Sequence, residues 1–92
     1  MTAVNNPAAQ YSSIEFSFTD NLDWRTNLTS ITFSKYGTHN PNPSNYLNIF
    51  DTSTPGSLAT TTQYGSTGTW VWTFEATGYP DVVVTVNVVS SP

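Results

Sequence analysis

The chain contains no cysteine, and only Arg25 and Lys35 of its 92 residues carry positive charge. Without cysteine there is neither a disulfide framework nor a thiolate metal site to staple the fold. Side-chain packing has to hold it, and this length supports one domain with one compact core and no deep substrate cavity. Six carboxylates set the net charge at −4. That balance repels phosphate backbones and leaves no basic stripe for nucleic acid or for an anionic membrane surface. Long hydrophobic runs are also missing, and nothing approaches the roughly 20 apolar residues that span a bilayer, so no membrane insertion is expected. The opening MTAVNNPAAQ has no basic segment followed by an apolar one, so it does not read as a signal peptide. The chain reads instead as one module of a longer exported protein, monomeric within it. Residues 1–12 are expected to be a linker or N-terminal extension, 13–89 the domain, and 90–92 a linker end.

What the chain does have is aromatic residues in alternation. Trp70, Trp72 and Phe74 alternate with Val71, Thr73 and Glu75, and Val82, Val84, Val86 and Val88 alternate with Val83, Thr85, Asn87 and Val89. Side chains two apart share a strand face. With the Gly/Pro-containing connection from Ala76 to Asp81, this predicts an antiparallel hairpin laid over a core. Ser13 to Thr19 predicts a strand with Ile14, Phe16 and Phe18 inward, and Ser30 to Ser34 one with Ile31 and Phe33 inward. Between them Trp24 and Leu28 stand four apart, which suits one helical turn with Asp20 as its N-cap and Asp23 in its first turn. Gly37 to Ser44 is a loop by composition. Tyr46 to Phe50 is expected as a short strand, Asp51 to Gly56 as a turn and the Thr-rich Leu58 to Tyr64 as an extended edge segment. The uncharged run VVVTVNVV is expected to be paired on both sides or along most of its length, since an open edge of that kind aggregates. The fold class that follows is all-β: an immunoglobulin-like antiparallel sandwich of six or seven strands with a short helical turn near 21–28.

Three groups of residues carry a resemblance. They are Phe18-Thr19-Asp20 followed by Asp23-Trp24-Arg25 and Ile31, the strand Gly68-x-Trp70-x-Trp72-x-Phe74, and Ala76-Thr77-Gly78-Tyr79-Pro80-Asp81-Val82. Together the pattern resembles the haemoglobin-interacting domain family of bacterial surface proteins, over most of Ile14 to Val88. The resemblance implies an immunoglobulin-like module, and its name implies recognition of haemoglobin or a haem protein. The segment from Gly37 to Gly65 departs from the family's pattern.

Candidate sites follow from residue type. Tyr36, His39, Tyr46 and Tyr64 stand near predicted loops and are the candidate protein- or ligand-binding residues, because tyrosine anchors are common at interfaces. The competing reading is of single, scattered surface aromatics. Trp70 and Trp72 share a face that would stack on a sugar if exposed, but exposing it turns Glu75 inward, so a core role is expected. Asp20, Asn21 and Asp23, joined by Asp51 or Asp81, would offer hard oxygens to calcium, although their spacing is not that of a calcium loop. Helix capping accounts for the first two carboxylates without a metal. One histidine without a nucleophile and an orienting partner supports no catalytic set, and no cofactor or metal is expected. The expected function is therefore a non-catalytic extracellular module of a bacterial surface or secreted protein, serving display, adhesion or protein binding through loops. The alternative is a carbohydrate-binding accessory domain of a secreted glycoside hydrolase.

Overall fold

The alternating segments assemble into two facing sheets in a computed structural model that describes residues 1–35 and 45–90. In chain order the elements are β1 (Thr2–Ala3), β2 (Ala8–Ala9), β3 (Ser13–Ser17), the helical turn α1 (Leu22–Thr26) and β4 (Leu28–Lys35). A 3₁₀ turn (Leu47–Ile49), β5 (Phe50–Asp51), β6 (Ser57–Gln63), β7 (Gly68–Ala76) and β8 (Val82–Val89) complete the chain. One sheet has the order β1-β3-β6-β5 and the other β2-β8-β7-β4. The two sheets make an all-β sandwich, with the first strand split between them as β1 and β2. All pairings are antiparallel except β2 with β8.

The closing hairpin forms as its period-two pattern requires. Trp70 lies opposite Val86, Trp72 opposite Val84 and Phe74 opposite Val82. Gly78 takes φ 86° in the connecting turn, a conformation that favours glycine, and Tyr79 N–H donates to the Ala76 carbonyl. Trp70, Trp72 and Phe74 face inward with Val84, Val86 and Val88, while Val83, Thr85, Asn87 and Val89 face solvent. Glu75 points outward and accepts a hydrogen bond from Ser30 Oγ at 2.9 Å. From the opposite sheet, Phe16 sets its ring edge-on against Trp72 at 5.5 Å and Phe74 at 5.0 Å. Such tilted contacts suit the ring quadrupoles and fix the distance between the sheets.

The expected all-β sandwich forms, with eight strand segments among the described residues because the first strand is divided between the sheets as β1 and β2. Several local expectations need correction. Residues 1–12, expected as a linker or extension, place β1 on β3 and β2 on β8. The stretch from Tyr46 is not a strand until Phe50. Asn45 diverts it: its Oδ1 accepts from Ile31 N and Leu47 N while its Nδ2 donates to the Thr29 carbonyl, so a side chain occupies the edge of β4 and turns the backbone. Strand β6 is not simply an edge. It pairs with β3 on one side and with β5 on the other, but β5 reaches only Ala59 and Thr60. Residues 60–62 bulge opposite the single residue Ile14. The N-cap of α1 is Asn21, whose Oδ1 accepts from Trp24 N at 3.1 Å, and not Asp20, which an ion pair holds elsewhere. Strand β8, as expected, is paired along most of its length: with β7 from Val82 to Val88, and with β2 only at its end.

Candidate functional site

The short β5 leaves an opening between the sheets on the side where β4 is the outermost strand. Phe33 of β4 stands at this opening, stacked on Trp70 with ring centres 4.6 Å apart, and Tyr46 packs on Phe33 at 5.2 Å. Behind them Tyr64 meets Trp70 edge-on at 5.2 Å. The result is a row of four rings, Tyr46, Phe33, Trp70 and Tyr64, running from the surface into the core. Beside the row is a cavity of about 110 Å³, walled by Ile14, Ile49, Thr62 and Gln63 and floored by Trp70 and Trp72. Ile49 is 43 % exposed, and Tyr46 and Phe33 are half-buried. Tyr46 is fixed from behind, since its backbone N–H donates to the Ile31 carbonyl at 2.8 Å.

Of the two candidate residues that the structure describes, Tyr46 is the one at this surface. Tyr64 is 1 % exposed and belongs to the core, so it is not available to a partner. The position just after β6 is drawn inward by backbone pairing: Tyr64 N–H donates to the Ser12 carbonyl, and the Tyr64 carbonyl accepts from Tyr11 N–H. Burial pushes its phenol up to about 12, and among the described residues its hydroxyl has no hydrogen-bond partner. The indole N–H groups of Trp24 and Trp72 share that condition, whereas Trp70 Nε1 donates to the Ser66 carbonyl. Tyr36 and His39 lie outside the described residues, as does the loop from Gly37 to Ser44.

Asp20, Asp23 and Asp51 are committed to local structure. Asp20 pairs with Arg25 (Nε to Oδ1, 3.0 Å) and accepts from Gly56 N–H at 3.0 Å. Arg25 is 8 % exposed and also donates to the Thr52 carbonyl at 2.9 Å. The guanidinium and the Gly56 N–H hold the Asp20 carboxyl below its ordinary value. This network ties α1 to the turn before β6. Asp23 accepts from the Tyr79 hydroxyl and from Asn27 Nδ2, and the carboxylate in turn raises the Tyr79 phenol. Asp51 accepts from the Ser53 hydroxyl and N–H, which lower its carboxyl. Among the described residues no group of three or more His, Asp or Glu converges as a metal set would. Nor is any helix there long and apolar enough to cross a membrane.

Arg25, absent from the candidates that residue type suggests, is the buried cation of this network, held by Asp20 five residues before it and by the distant Thr52 carbonyl. Trp24 fills the end of the sandwich, at 6 % exposure and against Phe18 at 5.2 Å. An open cleft of about 260 Å³ lies outside it, between Met1, Thr19, Asn21 and Val82.

Comparison with curated proteins finds no match. The family model described as "Heme-binding protein Shr-like, Hb-interacting domain" matches residues 2–89, all but the first residue and the last three. With both sheets of the sandwich inside that match, the chain belongs to the Shr-like haemoglobin-interacting domain family.

Proposed function

We propose that this chain is a non-catalytic, extracellular binding module of a larger bacterial surface protein. Residues 13–89 form the body of a single immunoglobulin-like domain, and its partner is haemoglobin or another haem protein. The observation that carries this reading is the family match over residues 2–89. The surface that suits it is the one around Tyr46, Ile49 and Phe33. An exposed isoleucine beside a tyrosine, on a floor of buried indoles, provides apolar contact area with little freedom left to lose on binding. Other apolar side chains are exposed, among them Leu22, Val83 and Val89, but none of them lies beside an aromatic-lined cavity of this kind. The carbohydrate alternative draws no support from the tryptophans, because Trp70 and Trp72 are 8 % and 2 % exposed and offer no stacking platform.

Calorimetry with haemoglobin tests the reading. The chain is expected to bind, and the double substitution Tyr46→Ala with Ile49→Ala to weaken binding by at least roughly tenfold, as loss of interface anchors does. A melting temperature close to the parent's would show that the variant remains folded. Absence of binding by the parent would defeat the proposed partner, and undiminished binding by the folded double variant would defeat the proposed surface.

A further inference from the structure

We propose that residues 1–10 are an exchangeable strap, and that β8 accepts the same strap from a second copy of this chain to give a strand-exchanged dimer. The edge of β8 facing away from β7 is covered by very little. The Asn6 amide substitutes for a strand there, its Nδ2 donating to the Thr85 carbonyl at 3.3 Å and its Oδ1 accepting from Asn87 N–H at 3.1 Å. Ala8 and Ala9 then pair with Val88 and Val89, and Gln10 N–H donates to the Val89 carbonyl at 2.7 Å. Further along, β1 lies on β3 through Thr2 and Ala3.

Nothing charged holds this strap, because neither residues 1–12 nor residues 82–89 contain a charged side chain. The same lack leaves the β8 edge without the charges that natural edges use to repel a second strand. Val83 and Val89 of this strand are 60 % and 48 % exposed. Within the strap Ala8 is the one fully buried side chain, a small anchor to withdraw and replace.

The hinge is built to open. Tyr11 joins β2 to β3 at φ 72°, in the left-handed region that a bulky side chain adopts only under strain. Its ring is 60 % exposed, so no burial offsets that strain. Five hydrogen bonds hold the turn: Tyr11 N–H to the Tyr64 carbonyl, Tyr64 N–H to the Ser12 carbonyl, Ser12 N–H and Oγ to the Ala9 carbonyl, and Gln10 Nε2 to the Gly65 carbonyl. If Tyr11 relaxes to an extended conformation, the first ten residues swing away and β2 leaves β8. A second copy's strap then restores each lost strap contact in trans, with the hinge strain relieved in both chains. Exchange of an identical element needs no new complementarity, which is why the occupant is this chain itself. The proposal does not depend on haemoglobin binding.

Size-exclusion chromatography with light scattering over a range of concentrations should show a slowly equilibrating dimer. Tyr11→Gly relieves the hinge without opening it. It is expected to raise the dimer dissociation constant about a hundredfold, roughly tenfold for each of two hinges. A covalent trap identifies the pairing. Thr2 Oγ1 and Ser17 Oγ are 3.1 Å apart across β1 and β3, so Thr2→Cys with Ser17→Cys places two thiols opposite one another in a chain with no other cysteine. Oxidation of the concentrated protein is expected to give a dimer linked between positions 2 and 17 of different copies, and mainly an intramolecular bond when Tyr11→Gly is added. A chain that stays monomeric at every concentration overturns the proposal. So does a dimer whose 2–17 bonds all lie within single copies, since that means closed molecules have associated edge to edge.

Discussion

Replacing Phe16 by alanine is the most severe single test of how the two sheets are held together. Phe16 is fully buried and touches rings of both sheets: Trp72 at 5.5 Å, Phe74 at 5.0 Å and, on its own side, Phe50 at 6.2 Å. Truncating such a ring removes its transfer free energy and leaves a cavity that three aromatic neighbours, locked by one another, cannot easily fill. The cost is about 3–5 kcal/mol. A domain of this length has a total stability of roughly 5–14 kcal/mol, so one substitution removes a large share. For this size each kcal/mol lowers the melting temperature by about 4–8 °C, and a fall of at least roughly 12 °C is expected. Urea denaturation followed by tryptophan fluorescence measures the free energy, and circular dichroism measures the melt. Phe18→Ala serves as the comparison, because Phe18 is half-buried and packs mainly on Trp24. If Phe16→Ala costs less than Phe18→Ala, the packing between the sheets is not the main source of stability. A double-mutant cycle of Phe16 with Trp72 should then return a coupling of about 0.5–1.5 kcal/mol, as edge-on aromatic pairs do. A coupling near zero would contradict the contact itself.

Two further predictions concern titrating groups. The Asp20 carboxyl is held below its ordinary value by Arg25 and Gly56 N–H, so its stabilisation is present above the unfolded carboxylate range and disappears as pH falls through the lowered folded value. Acid denaturation of Asp20→Asn should therefore show a flatter acid limb than the parent, and an unchanged limb would refute the linkage. Tyr64 behaves oppositely. Burial raises its phenol from 10.0 to about 12, so stability should be full below pH 10 and decline as pH rises through that window, because the unfolded chain ionises first. Tyr64→Phe should remove the decline and leave stability at neutral pH unchanged or slightly increased, since the hydroxyl it deletes is buried without a described partner. A clear loss at neutral pH would mean that the hydroxyl has a partner after all.

The candidate site was only half legible. Tyr46 and Tyr64 look alike in the sequence, each a tyrosine beside a segment of weak pattern, yet one lies at the surface and the other at the bottom of the same aromatic row. What separates them is long-range backbone pairing, of Tyr64 with Ser12 and Tyr11, which no local rule encodes. Ile49 gave no signal, because its exposure arises when Asn45 turns the chain into a 3₁₀ turn and the short β5 leaves the cavity unsealed. Arg25 was missed for a similar reason: its guanidinium reaches the Thr52 carbonyl, a partner 27 residues away.

The long strands β3, β4, β7 and β8 and their inward faces were written in the sequence. Period-two alternation is a local property, and a face carrying two indoles and a phenyl ring has only one way to leave water. Having no cysteine, the sequence also ruled out disulfides. Tertiary structure decided what depends on neighbours distant in sequence. It drew the first residues onto both sheets, set Asp20 to hold Arg25 instead of capping α1, and left an opening where β5 stops short. Each of those outcomes is a competition between partners for one backbone or side-chain group, and only the folded chain brings the competitors within reach.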